Sequence, residues 1–486
     1  MAGECSYNCS ERPKEIQFDA DITGTGVLIG FISTAGLVTV IIALHYLLAY
    51  RPALHPFRQD KGEDDPSVDF RPNEVDMMIL KAVRRTSKSL DGVSQSDPRH
   101  WSRLESSLTK CVLSMSDLQI ATGIAILVSG YAQLPCGLSC YHWQIMGRLA
   151  WFSSLTHLSC LTMLRNYLCN RSAQRQWRLL SMLALLILLV VAMVPTGSYE
   201  WSVSNNTYQS FPHPSDYAIC HFSQLPRVGT AATVSMSIFV LLSTLGFLIR
   251  VVKLHNTLST FLVGRPREIV SKHARNVLWK FYKQPNAQRL PQRIAGNMVY
   301  FPALAFFLAM RVLLDHWASM YFEVYWLLMS FLYGLFSVLV EINVFTGGDI
   351  IPPVIQNNYT NRWSIGQIMP VFLLAVPLVT IIELLYPGKS TILLSLVPSL
   401  METDSVDDAK GSAGEDISSQ PAPLTYQGSN TTSTHNLSLE TAQPENSLTH
   451  HPDQDYYHNS TALKCGNLFI MLMEYFAGGA VLVVTC

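Results

Sequence analysis

Two ionisable side chains sit inside long apolar stretches, Asp117 in "LSMSDLQIATGIAILV" and His157 in "WFSSLTHLSCLTML". A charge at the centre of a membrane span costs about 2.5 kcal/mol or more, so such a group should face inward and find a partner. A carboxylate beside an imidazole can hold or pass a proton near neutral pH. The same contact can also serve only to clamp two helices. The two stretches are joined by a short connection centred near Gly137, so they should run antiparallel and side by side. Asp117 and His157 lie equally far along the chain from Gly137, and a direct pair is expected. Ser114, Ser116 and Gln119 around Asp117, and Ser153, Ser154 and Thr156 around His157, would complete their hydrogen bonds.

A second constellation lies in "AMRVLLDHWASMYFEVYW". Arg311 and Asp315 are four residues apart, a spacing that lets them pair on one helix. His316, Glu323 and Glu341 add further titratable groups; Glu341 is expected near the inner membrane boundary, and Glu323 and Glu383 near the interface. Asp117, His157, Arg311 and Asp315 form the expected binding group. If the protein is an enzyme, its candidate catalytic residues are Asp117, His157, Asp315 and Glu341.

The elements that hold these residues follow from composition. Of 486 residues 49% are hydrophobic and 14% charged, against about 25% charged in an ordinary soluble protein. Apolar runs of roughly 20 residues are long enough to cross a bilayer. The expected fold class is all-α, a polytopic transmembrane helix bundle. Eight spans are read at 25–50, 112–132, 144–164, 178–195, 229–252, 298–318, 321–345 and 363–386, with 466–486 long and apolar enough for a ninth. Residues 1–24 form an outer segment, 51–111 a charged cytosolic linker, 253–297 a basic cytosolic loop and 387–465 a low-complexity tail.

Orientation follows from the basic residues, which gather on the cytosolic side of short loops. Arg165, Arg171, Arg175 and Arg178 follow span three without an acid, and nine Lys and Arg from Lys253 to Arg293 face Glu268 alone. The N-terminus is therefore expected outside or in the lumen, and the protein in the plasma membrane or an endomembrane. Glycosylation sequons, modified on that side only, fall outside at Asn8, Asn205, Asn430, Asn436 and Asn459. Asn358 in "NYT" falls inside on this count, a conflict that points at the division between spans six and seven near Ser319–Phe322. Cys136 and Cys140, in the loop after span two, are candidates for a disulfide to Cys220, which an oxidising compartment permits. The stretch "REIVSKHARNVLWKFYKQ" mixes apolar and basic residues, as an interfacial helix on anionic lipid or an ordinary cytosolic helix would.

No phosphate loop, dinucleotide fingerprint, HExxH zinc helix or GxSxG elbow occurs, so no cofactor and no metal is expected. A formal net charge of −1 argues against a nucleic-acid partner. The stretches "SDLQIATGIAILVSGY", "YHWQIMGRLAWFSSLTHLSCLTMLRNYL" and "WSIGQIMPVFLLAVPL" resemble those of a group of orphan multi-pass membrane proteins of filamentous fungi. That resemblance implies a fungal membrane protein linked to natural-product genes and supplies no catalytic motif. The expected partners are the lipid bilayer and a small lipophilic ligand, sensed or transported by a non-enzymatic bundle. The alternative is an integral-membrane terpenoid cyclase or isomerase with a buried acid, Asp117, Asp315 or Glu341, as proton donor.

Overall fold

The computed structural model describes residues 7–11, 13, 16, 19–52, 72–90, 98–163, 165–169, 172–199, 212–224, 226–283, 290–346, 364–385 and 461–484. The main helices are α1 (Thr25–Leu48), α2 (Glu74–Leu90), α3 (Pro98–Gln133), α4 (Cys140–Met163), α5 (Ser172–Met193) and α6 (Ala231–Leu254). They continue as α7 (Arg265–Lys283), α8 (Leu290–Ala318), α9 (Met320–Thr346), α10 (Ile365–Leu385) and α11 (Thr461–Val484). No strand forms among the described residues, and the fold is an all-α bundle of membrane-protein character. Each of the eight expected spans maps onto a separate helix to within two residues at either end, and α11 covers most of the ninth run. Glu383 lies on α10, but its side chain is outside what is described.

Six helices among the described residues are long and apolar enough to cross a membrane. The helix α4 is not one of them, and its position explains why. Every residue from Cys140 to Thr162 is buried, packed against α1, α3, α5, α6 and α9. A helix enclosed by other helices needs no lipid-facing apolar surface and can carry polar side chains toward its neighbours.

Contacts along α4 fix the direction of each neighbour. Ser116 of α3 meets His157, and Gly130 of α3 faces Met146, so α3 is antiparallel to α4. Trp143 donates its indole N–H to the Ala192 carbonyl at 2.9 Å, and Ser153 and Leu185 both face Gly123, so α5 is antiparallel. Ser235 lies beside Arg148 and Arg250 beside Thr162, so α6 is parallel to α4. Glu341 meets Gln144 and Arg148, while Gly334 packs on Trp151, so α9 is antiparallel. The helix α10 runs parallel to α1; a side chain at Gly26 or Gly30 would strike the Gln367 carbonyl or Pro370, and glycine there lets the backbones approach.

One end of the bundle is closed by a cap. The first N–H groups of α4 lack partners within the helix, and they donate instead to the loop before α6: Cys140 to the Asp216 carbonyl at 2.8 Å and Tyr141 to that of Pro214 at 3.1 Å. Ala218 returns a bond to the Leu138 carbonyl at 2.8 Å. Gly137 turns the chain with φ 90°, a left-handed conformation that glycine adopts without steric cost. A disulfide joins Cys9 to Cys220. The expected bridge from Cys136 or Cys140 to Cys220 is thus not formed: Cys136 is in another disulfide, and Cys140 is a buried free thiol under the cap. Cys220 is instead taken by Cys9 of the N-terminal segment, 211 residues away along the chain.

The opposite end is built on the charged linker. Asp76, near the start of α2, accepts from the N–H of Met320 at 2.9 Å, from that of Tyr321 at 3.0 Å and from the Tyr46 hydroxyl at 3.1 Å. Ser319 accepts from the Phe322 N–H at 3.1 Å, so the first three amides of α9 are all satisfied. Burial raises the Asp76 carboxyl above the ordinary carboxylate range, and the two amides and the tyrosine pull it back only in part. Asn73 donates to the Asp315 carbonyl at 2.7 Å, and Arg84 to that of Tyr50 at 2.6 Å.

This arrangement departs from the expected hairpin of spans six and seven. The junction of α8 and α9 lies at the linker end, where α1 and α6 also finish, and α9 climbs from there toward the cap. Glu341 accordingly sits in the cap half of the bundle, at the end opposite the linker, which the sequence places on the inner side.

Candidate functional site

In the cap half, α4 turns Gln144 and Arg148 toward α9. Arg148 donates through Nε and Nη2 to Glu341 Oε1 at 3.1 and 3.0 Å. Gln144 donates to the same oxygen at 2.6 Å. Ser235 of α6 accepts from Arg148 at 3.4 Å and from the Tyr333 hydroxyl at 3.1 Å. The Arg148 guanidinium lies 3.8 Å from the centre of the Phe239 ring, within cation–π range. Phe239 in turn packs on Trp151 and Tyr333, each 4.8 Å away between ring centres.

Arg148 is only 4% exposed, and a buried ion must find partners for all its polar atoms. Here two atoms stay open: Arg148 Nη1 and Glu341 Oε2 are buried without a hydrogen-bond partner, as is Trp151 Nε1. One donor and one acceptor thus remain unsatisfied within a single ion pair, inside an aromatic wall. Chemically, the arrangement suits a hydroxyl or carboxyl group on an apolar body.

The expected Asp117–His157 pair does not form. Asp117 instead takes a two-pronged bond from Arg178, Nε to Oδ1 at 2.9 Å and Nη2 to Oδ2 at 2.7 Å. His157 shares a hydrogen with Ser116 Oγ at 2.6 Å, and its Nε2 is buried without a partner. Depth along the hairpin does bring the expected turn of α3 to His157, but through Ser116. Successive helical residues point about 100° apart, since 3.6 make a turn, so Ser116 faces α4 and Asp117 faces α5.

Arg311 and Asp315 do approach, at 3.8 Å, but Arg267 of α7 is the nearer partner of Asp315. This group stands at the linker end with α2 and α7. Asp117 is held by Arg178 of α5 and His157 by Ser116 of α3, whereas Arg311 and Asp315 meet Arg267 of α7, so the four expected binding residues do not form one group. Glu323, expected at an interface, is buried and paired with Lys253 at 2.7 Å. Asn8 is exposed, while Asn205, Asn430, Asn436 and Asn459 lie outside the described residues. Among those residues no three His, Cys, Asp or Glu side chains are grouped to hold a metal ion.

The cations were the missed signal. Arg148 stands alone within the apolar "YHWQIMGRLAWF" and pairs with Glu341, and Arg178, at the end of a basic connection, pairs with Asp117. Matching each lone acid of a span to a lone base elsewhere would have suggested Glu341 with Arg148. Compared with protein-family models, curated proteins and solved structures, the chain matches none.

Proposed function

We propose that this membrane protein binds a small lipophilic molecule in the cap half of its bundle, between α4, α6 and α9, and acts as a sensor or transporter. The observation that carries the reading is the half-satisfied Arg148–Glu341 pair, which offers one donor and one acceptor beside Phe239, Trp151 and Tyr333. Buried polar atoms left open cost free energy unless something completes them. A ligand hydroxyl accepts from Arg148 Nη1 and donates to Glu341 Oε2, while its apolar body contacts the rings. Its source, on the sequence resemblance, is a fungal natural-product pathway.

The cyclase reading is less well supported. A general acid needs a carboxylic acid facing its substrate. Asp117, Asp315 and Glu341 are instead each engaged by an arginine, Arg178, Arg267 or Arg148.

The test is metabolite profiling of a deletion strain complemented with wild type, R148A or E341Q, with cells and medium extracted separately. Binding without catalysis predicts unchanged product structures, with altered partition or pathway amounts in the deletion and in both variants at normal protein levels. A missing product with accumulated precursor would support the cyclase instead.

A further inference from the structure

Helix α6 ends at Leu254 and α9 begins at Met320, and α8 between them packs mainly on α7 and α11. Lys253 bonds Glu323 and the Trp317 carbonyl, so both points lie at the linker end. Between them the chain crosses the bilayer twice or not at all. Two long helices are available. The first, α7, carries Arg265, Arg267, Lys272, Arg275, Lys280 and Lys283 against Glu268 alone, and that many cations inside hydrocarbon are prohibitive. If α7 does not cross, neither does α8, although α8 is apolar over Tyr300–Ala318.

We propose that α7 and α8 form a hairpin lying on the inner membrane surface, held there by anionic lipid headgroups. The hairpin is tethered where Arg267 meets Asp315 and where Asn73 bonds the Asp315 carbonyl. Leu278 of α7 is buried, while Ile269, Val270 and Val277 are exposed on its other side, Val270 at 65%. Along α8, Phe306, Met310, Leu313 and Trp317 recur at three- and four-residue steps and are all exposed, Phe306 at 69%. A continuous apolar stripe facing water is unfavourable. Beside a basic helix it suits the boundary between headgroups and acyl chains, where Lys and Arg meet anionic lipid. The basic end of the bundle is then the inner one, in keeping with the positive-inside rule.

This account is independent of the ligand reading. The neighbouring ends of α9 and α10 reach the cap side, where Ser364 bonds Asp21 at 2.9 Å.

The test uses the full chain with Cys169, Cys465 and Cys486 replaced by serine and one reporter cysteine, V270C or F306C, carrying an environment-sensitive dye. The protein is reconstituted in nanodiscs of phosphatidylcholine alone or with abundant phosphatidylserine. Brominated acyl chains should quench both dyes, with severalfold stronger quenching of V270C when phosphatidylserine is present and loss of that gain in high salt or in K272E/K280E. Dyes that remain in water in both lipids overturn the proposal. So does labelling of M298C by an impermeant maleimide from the cap side, which would make α8 a span.

Discussion

Asp117 and Arg178 are joined by two hydrogen bonds, 2.9 and 2.7 Å long, that tie α3 to α5. The Arg178 side chain is 4% exposed and that of Asp117 33%, so the arginine depends on the acid more than the reverse. D117N should therefore destabilise the bundle by about 2 kcal/mol, less than a fully buried pair because Asp117 keeps some solvent. A double-mutant cycle of D117N with R178Q should show strong coupling, whereas D117N with H157A should be additive to within about 0.5 kcal/mol. Thermal unfolding in detergent measures both. Strong coupling of Asp117 to His157 instead would restore the direct pair that the geometry lacks.

That cluster also shows what was legible in the sequence. Hydropathy located the apolar helices because the bilayer imposes length and apolarity on each helix separately, but it did not show which of them cross. Helical depth brought the correct turn of α3 to His157. Facing direction was not legible, because one residue of error rotates a side chain onto a different neighbour. Nor was the role of Asp76 legible: its partners are backbone amides of Met320 and Tyr321, far along the chain, and backbone amides carry no residue-type signal.

Asp76 is a second point of sensitivity. In D76A the Met320 and Tyr321 amides lose their acceptor, at a cost of about 2 kcal/mol. Hydrogen exchange should quicken at the start of α9 and leave the cap unaffected. Exchange that stays as slow as in wild type would show that the amides have another acceptor.

The raised Asp76 carboxyl gives the linker dock a pH dependence. The folded state holds that proton more tightly than the unfolded chain. Its contribution is therefore complete below the ordinary carboxylate pKa, about 3.9, and declines as pH climbs through the raised value. A dye on M77C, at a half-exposed position of α2, should report progressive loosening with rising pH and lose that response in D76N. Tightening with rising pH would reverse the sign and refute the assignment.

The cap can be checked by chemistry. Digestion without reductant should yield a peptide containing Cys9 linked to one containing Cys220, and Cys140 should resist alkylation until the protein unfolds. C220S should cost about 2–5 kcal/mol, because the bridge closes a long loop. A Cys140–Cys220 peptide in the native protein would contradict the observed pairing.

The central claim concerns the open donor and acceptor of the Arg148–Glu341 pair. The most direct measurement is native mass spectrometry of wild type, R148A and E341Q purified gently from the source cells, with lipophilic extracts identified after release. A hydroxylated or carboxylated small molecule that accompanies wild type and is lost from both variants, while D117N retains it, is the predicted result. Equal recovery from all four proteins, or a molecule lost only in D117N, would contradict the account.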